Sequence, residues 1–267
     1  MNEVMKSRLV HTEDLSPEDK EAMYSLLSTY FEGVKRDVFE TDLSQKNWVI
    51  LLKDEKTNRL QGFSTLLMYN TEFQGEKLSV VYSGDTIMDP SGWSSSALSR
   101  CWITSVNQLR RDYAQGRLYW LLISGGYRTY RFLPIFWREF YPRYDAVTPV
   151  YISSLIEFLA GDRFGDYYDT KAGIVRFPHP HVLRDCLRGI PQERLQDPHI
   201  RFFEQCNPGH LQGAELVCLT EICEENLTDA GKRMWFANSP MKQQQQFSAE
   251  WGLEKNTHKA KPAIATF

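Results

Sequence analysis

The residues with the clearest capacity to bind an anion lie between Asp89 and Ala97. Asp89-Pro90-Ser91-Gly92 breaks a strand-like run, and Trp93-Ser94-Ser95-Ser96-Ala97 then enters an amphipathic helix. The unpaired N–H groups and the positive dipole end of a helix N-terminus form an anion site without Lys or Arg. The alternative is a helix that serine caps and that binds no ligand, because serine is also a common N-cap.

Asp85 is the only acidic side chain in the strand-like run 78–88. Partly buried beside Val81 and Ile87, its carboxyl group would have a raised pKa, which suits a group that accepts a proton near neutral pH. The neighbouring Gly84 supports a second interpretation, in which Asp85 belongs to a β-bulge or turn and is satisfied there.

Arginines alternate with aromatic residues between Tyr127 and Arg143. Such a pattern can stack nucleic-acid bases, but the net charge of -3 and the pI near 6.1 do not favour a polyanionic partner. We therefore expect a ligand phosphate site or a solvated face. A basic patch of this kind would also steer an acidic carrier protein towards the chain.

Two further groups of side chains, the paired histidines and the cysteines, predict neither a metal site nor a catalytic nucleophile. His179 and His181 flank Pro180 without a nearby Cys or acidic residue, which falls short of a usual metal-ligand set, so we predict no metal site. The five cysteines are scattered and form no C-x-x-C pair. Reduced core residues are favoured over covalent catalysis by cysteine.

Length and composition indicate a folded protein. The chain has 267 residues, 42% of them hydrophobic, which is enough for one core or for one core and a subdomain. No apolar run approaches the roughly 18 residues that span a bilayer, and residues 1–10 lack the apolar centre of a signal peptide. We expect a cytoplasmic protein without a membrane span or a nucleic-acid partner.

The hydrophobic pattern predicts an α/β fold with this order of elements. A strand at 7–11 precedes a helix that begins at Pro17, and a shorter helix follows within 34–43. The runs 48–52, 60–69 and 78–88 predict an antiparallel meander. A helix ending near Tyr113 and a strand at 118–123 then predict one parallel crossover. Pro134 predicts either a bent helix or two short ones.

This order over residues 7–141 resembles the GNAT (GCN5-related N-acetyltransferase) acyltransferases. Residues 82–90, Tyr-Ser-Gly-Asp-Thr-Ile-Met-Asp-Pro, look like the fourth strand of that family, which ends in apolar-x-Pro before a phosphate-binding turn. The resemblance implies an α/β (α+β) fold, with a GNAT-like mixed, mainly antiparallel central sheet flanked by helices and a C-terminal extension. The family's turn carries Gln/Arg-x-x-Gly-x-Gly/Ala, and this chain lacks both the arginine and the glycines there.

The resemblance also implies a donor site. In the family, the backbone at the end of the fourth strand pairs with the pantetheine arm, and the next turn cradles the pyrophosphate. The co-substrate is then acyl-CoA or an acyl-carrier protein, and no cofactor is bound covalently. The donor-binding residues expected on this basis are Ile87, Met88, Trp93, Ser94, Ser95, Ser96, Ala97, Ser124 and Arg128.

The resemblance implies that an amine attacks the thioester directly, without a covalent enzyme intermediate. This reaction calls for a general base and for an acid that protonates the leaving thiolate. Asp85 is the candidate general base. Many family members use a tyrosine to protonate the leaving thiolate, but Trp137 stands nearest to that position here. Tyr141 and Tyr130 are candidates for this role by proximity alone.

Two functions remain open from the sequence. One is a GNAT-like N-acyltransferase, including a form that uses a larger acyl donor, and the other is a non-catalytic protein that binds a thioester, a peptide or a partner protein. Trp93 filling the space between the fourth and fifth family strands would favour the non-catalytic protein, whereas an intact donor pocket would favour the enzyme.

The predicted domain organisation has three parts. Residues 1–160 form the acyltransferase domain, 161–237 an extension packed on the same core, and 238–267 a flexible polar tail. Three roles are open for the extension: it caps the acceptor site, adds strands to the sheet or forms a homodimer.

Overall fold

The structure, a computed structural model, describes residues 5–93, 95–184 and 187–237. Among them the strands are β1 (Met5–His11), β2 (Phe31–Glu32), β3 (Trp48–Asp54), β4 (Leu60–Phe73), β5 (Glu76–Met88), β6 (Arg117–Ser124), β7 (Tyr168–Asp169), β8 (Ile174–Val175), β9 (Val182–Leu183) and β10 (Glu215–Glu221). The α-helices are α1 (Pro17–Tyr30), α2 (Arg36–Ser44), α3 (Ala97–Tyr113), α4 (Tyr127–Tyr130), α5 (Phe132–Phe136), α6 (Val150–Phe164), α7 (Pro198–Cys206) and α8 (Asp229–Trp235). Ser94, Cys186 and the predicted tail lie outside the described residues.

The central sheet has the strand order β1-β3-β4-β5-β6-β10-β8-β7. Among the described strands, neighbouring pairs are antiparallel except β5 and β6, which run parallel on either side of the α3 crossover. This arrangement confirms the predicted meander, the parallel crossover and the GNAT-like mixed sheet. The strands β2 and β9 form a separate pair.

Local chemistry explains where the helices begin. The Ser16 hydroxyl accepts a hydrogen bond from the Asp19 backbone N–H, and Pro17 occupies the first turn of α1, as the sequence predicted. Pro134 lies in the first turn of α5, where a helix needs no N–H from it. The stretch around Pro134 is therefore two short helices, α4 and α5, which confirms one of the two predicted outcomes.

Helices cover both faces of the sheet. On the first face, α3 and the later helices α4, α5, α7 and α8 pack over one large apolar cluster that contains Val81 and Trp120. The second face carries two separate clusters. Helices α1 and α2 cover one, which contains Phe63, and α6 covers the other, which contains Tyr82. The space between these two clusters is where charged side chains gather.

The strands β5 and β6 separate near the middle of the sheet. Ser83 pairs with Leu122 at the last step of their ladder, but β5 continues to Met88. At that point Gly84 and Asp85 together oppose a single residue of β4, which is the β-bulge that Gly84 predicted. We call the opening between β5 and β6 beyond Ser83 the strand gap.

Candidate active site

A group of five charged or titratable residues, which we call the polar cluster, lies beside the bulge on the second face of the sheet. Its members are Asp42, Lys46, Asp85, His181 and Glu215. His181 Nδ1 lies 3.8 Å from Asp85 Oδ1. The fully buried side chain of Lys46 places its Nζ 2.6 Å from Asp42 Oδ1. Because charged groups are costly to bury, this cluster is our candidate functional site.

Four distant segments of the chain position these side chains. The bulge turns Asp85 out of the regular ladder, and Lys46 follows the end of α2. Glu215 is the first residue of β10, next to the pairing of Leu216 with Ser124. Its Cγ lies 3.6 Å from where a side chain at Gly125 would begin, an ordinary van der Waals distance. His181 directly precedes β9.

Burial and neighbouring charge set the protonation of the cluster. Burial, followed by the negative charge of Asp85, raises the pKa of Glu215 to about 7. Burial opposes protonation of His181, but the Asp85 carboxylate outweighs it, and the pKa of His181 is raised. A carboxyl group that titrates near neutral pH is well matched to proton transfer.

Thr65 provides an unsatisfied hydrogen-bonding group at the bulge. Its hydroxyl oxygen is buried and has no hydrogen-bond partner among the described residues. A Cβ on Gly84 would lie 2.7 Å from that oxygen and 2.6 Å from Lys46 Cε, so only glycine fits between them. A buried hydroxyl without a partner costs free energy, which a bound polar ligand would recover.

The other side of the strand gap is the serine turn, which we define as residues 89–97. Four of its backbone N–H groups have partners within the turn: Gly92 donates to Asp89 O, Trp93 to Pro90 O and Ser95 to Gly92 O. Ala97 donates to the Ser95 hydroxyl. These four amides are therefore not free to bind a pyrophosphate, unlike those expected from the resemblance.

Trp93 links this turn to both strands. Its indole Nε1–H donates to the carbonyl of Met88 at the end of β5, at 2.9 Å. The Arg128 guanidinium, at the start of α4 after β6, lies 4.1 Å from the centre of the same ring. Trp93 and Arg128 thus form a stacked bridge across the mouth of the strand gap.

The remaining predicted donor residues are placed less favourably. Ile87 and Met88 have buried side chains. Ser96 is the N-cap of α3, and its side chain makes no capping bond. The buried Ser124 hydroxyl donates to Gly126 O. Their contributions to donor binding remain predictions, and Ser94 lies outside the described residues.

The structure does not bring Tyr130 to Asp85. Tyr130 is fully buried against Phe203, and its hydroxyl donates to Pro142 O at 3.0 Å. Burial raises the pKa of this phenol well above its usual value. Tyr141 is partly buried and pairs through its backbone with Leu219 of β10. Trp137 lies in the apolar core.

Sequence reasoning missed four members of the polar cluster: Asp42, Lys46, His181 and Glu215. Glu215 begins an alternating strand pattern, but nothing local indicates that β10 pairs with β6. His181 was considered only as a metal ligand, whereas its partner is Asp85, which lies far away in the sequence. Lys46 has the polar signature of an exposed turn. Among the residues that the structure describes, no three His, Cys, Asp or Glu side chains are arranged so that they could hold one metal ion.

Comparisons with known proteins add little beyond the fold. No protein-family model and no curated protein matches the chain. A Trypanosoma brucei acetyltransferase is similar at 16% identity over 55% of this chain and 100% of that one, with a TM-score of 0.39. An Enterococcus faecalis protein titled a probable N-acyltransferase shares 15% identity over 51% of this chain, with a TM-score of 0.39.

A third similar structure is Saccharomyces cerevisiae N-myristoyltransferase with bound myristoyl-CoA, at 14% identity over 47% of this chain and with a TM-score of 0.38. The match spans 30% of the yeast chain and 33% of the Enterococcus chain. No helix within the described parts of the chain is both long and apolar enough to cross a bilayer. The strand order and the separation of β5 from β6 are the features that identify a GNAT-like fold.

Proposed function

We propose that the protein is an N-acyltransferase that moves an acyl group from acyl-CoA to an amine. The observation that carries this proposal is the polar cluster, in which Glu215 titrates near pH 7 beside the bulge of β5. Acyl transfer to an amine needs a proton acceptor beside an opening where the thioester and the amine meet. The bulge, the strand gap and Glu215 are consistent with that requirement.

In this mechanism the amine nitrogen attacks the thioester carbonyl carbon, the C–S bond breaks and the thiolate leaves. Glu215 takes the proton that the amine loses. Asp85, which sequence reasoning favoured as the base, holds His181 and keeps the pKa of Glu215 high through its charge. A backbone N–H freed from the ladder by the bulge is our candidate for stabilising the carbonyl oxygen. Tyr141 remains the candidate acid for the thiolate.

The test has two stages. Calorimetric titration with CoA, acetyl-CoA and longer acyl-CoAs measures donor binding, and release of free thiol in the presence of a panel of primary amines measures transfer. We expect saturable donor binding and amine-dependent thiol release. If no acyl-CoA binds and no thiol is released, acyl-CoA transfer is wrong, and acyl-carrier-protein donors are tested next.

A second candidate function is a GNAT-like binding protein without catalysis. The observation that favours it is Trp93, whose indole N–H donates to the Met88 carbonyl. This carbonyl lies at the strand end whose backbone, by the resemblance, pairs with the pantetheine arm. Under this function, CoA does not bind even when Trp93 is replaced by alanine. Acyl-CoA transfer by the wild-type protein would exclude it.

A further inference from the structure

Two depressions adjoin each other, and Arg128 of the stacked bridge lines the smaller of them. The smaller, which we call the arginine depression, has a volume of about 290 Å³ and is lined by Arg128 and residues 187–191. The larger, of about 680 Å³, shares Arg188 and Gly189 with it. Two arginines from distant parts of the chain thus border one small depression.

Arg128 is oriented by its aromatic neighbours. Its guanidinium carbon lies 4.1 Å from the centre of the Trp93 ring and 4.8 Å from that of Tyr127. Stacking occupies the faces of the guanidinium, whereas its N–H donors project within its plane. One of them donates to Leu187 O at 3.4 Å, which is a long bond. A guanidinium held in this way is prepared for the paired oxygens of a phosphate.

Arg188 lines both depressions, and two of its partners, Glu32 and Leu211, line the larger one. Its Nη2 lies 3.5 Å from a carboxylate oxygen of Glu32, and its Nη1 donates to Leu211 O at 3.5 Å. Both contacts are long for charge-assisted hydrogen bonds. Gly189 has φ of +93°, and a side chain there would meet nothing within 4 Å, so its backbone borders open space.

We infer that the arginine depression binds the phosphate groups of the thioester donor through Arg128 and Arg188. This inference rests on the proposed function and assigns the phosphates to Arg128, which the resemblance already places at the donor, together with Arg188, rather than to the amides of the serine turn. Four of those amides already bond within the turn. The bridge of Trp93 and Arg128 joins the depression directly to Met88 at the strand gap.

The experiment compares two routes of phosphate binding by calorimetric titration. The ligands are CoA, adenosine 3′,5′-bisphosphate, which has the phosphates without the thiol arm, and pantetheine, which has the arm without the nucleotide. Arg128→Gln and Arg188→Gln each remove one guanidinium. The matched control is Arg194→Gln, which removes an exposed arginine near the same segment. Ser95→Glu places a carboxylate in the serine turn.

We expect Arg128→Gln and Arg188→Gln each to weaken binding of CoA and of the bisphosphate by roughly 10-fold or more, the effect of losing a charge-assisted contact. Pantetheine binding and the Arg194→Gln protein should be unchanged. Ser95→Glu should weaken CoA binding less than Arg188→Gln does. Thermal unfolding of each variant shows whether it folds, and Arg188→Gln leaves the stacked bridge intact if Arg128→Gln does not fold.

The outcomes separate this inference from the proposed function. Unchanged CoA affinity in both arginine variants overturns the arginine depression while leaving acyl transfer standing, as does loss of binding in Ser95→Glu alone. Failure of wild-type protein to bind the bisphosphate also overturns it. Arginine-dependent bisphosphate binding without any thiol release supports the phosphate site and removes the proposed transfer activity.

Discussion

The two sides of the strand gap differ in how their polar groups are paired. In the serine turn, four backbone amides donate to carbonyls or a serine hydroxyl of the same turn. The Trp93 indole N–H donates a hydrogen bond to the Met88 carbonyl. In the polar cluster, Glu215 is partly buried with a raised pKa. Beside that cluster, the buried Thr65 hydroxyl has no partner among the described residues. Four amides of the serine turn are thus satisfied locally, whereas the bulge keeps an unsatisfied hydroxyl near a carboxyl group with a raised pKa.

The serine turn is therefore a stable local structure, whereas the polar cluster keeps buried charged groups at a cost in electrostatic free energy. A turn within nine residues can bond to itself, because its donors and acceptors are neighbours in the sequence. The polar cluster joins side chains from four distant segments. Its raised pKa values persist only because the surrounding fold holds these side chains together. Retained electrostatic cost of this kind is typical of catalytic groups.

The largest expected effect is the loss of proton transfer in Glu215→Gln. The amide cannot accept a proton, so we expect kcat/KM for thiol release to fall by roughly 100-fold or more. In the wild type the rate should rise with pH through the pKa of about 7, and this dependence should disappear in the variant. Glu225→Gln, an exposed control on the loop after β10, should behave like the wild type. Full activity of Glu215→Gln at pH 8 would exclude this role.

The same carboxyl group should make stability depend on pH. Its pKa rises from an ordinary 4.5 to about 7 on folding, so the folded state binds more protons in that window and stability falls as pH increases through it. The raised pKa of His181 acts in the same direction above its ordinary value. We expect the wild type to lose up to about 3 kcal/mol relative to Glu215→Gln between pH 4.5 and 7.5, measured by urea unfolding. Parallel pH profiles would contradict this.

A smaller effect concerns the satisfied side of the strand gap. Trp93→Phe keeps a ring beneath Arg128 but removes the indole N–H that donates to Met88 O. A donor then no longer has to displace this hydrogen bond, and CoA should bind about 3- to 10-fold more tightly by calorimetry. Trp93→Ala serves as the comparison because it also removes the stack on Arg128. Equal CoA affinity in wild type and Trp93→Phe would show that the indole does not compete with the donor.

The smallest effect is expected at Thr65. Thr65→Val removes a buried hydroxyl that has no partner among the described residues, so stability should stay unchanged or rise by about 1 kcal/mol in urea unfolding. Ser64→Ala is the matched control, because the Ser64 hydroxyl bonds to Thr86 at 2.8 Å and its loss should destabilise the protein by about 1 kcal/mol. A clear destabilisation by Thr65→Val would mean that its hydroxyl is paired in solution.

The sequence predicted those parts of the fold that depend on neighbouring residues. The meander, the α3 crossover, the start of α1 and the division at Pro134 all follow from local periodicity, caps and proline geometry. Gly84 correctly indicated the bulge. The pairing of β10 with β6 was not predicted, because an alternating strand pattern states which face is buried but not which strand lies beside it.

The candidate site was less predictable for the same reason. Asp85 was identified because it interrupts an apolar strand, whereas Glu215 and His181 acquire their environment only through long-range packing. Tyr130 shows the opposite limit: an aromatic residue near a predicted site has the same local signature whether it lines a cleft or fills the core, and here it fills the core.

The position of β10 also constrains when the protein can fold during its synthesis. This strand is made near the end of the described chain, yet it lies between β6 and β8 in the sheet. Until residues 215–221 have emerged from the ribosome, β6 has an unpaired strand edge. Its residues Tyr119 and Leu121 then lack the apolar contacts that Val217 and Leu219 provide in the folded protein. From the synthesis of β6 until β10 emerges, the nascent chain therefore carries an aggregation-prone edge, and chaperone dependence should be greatest just before β10 emerges.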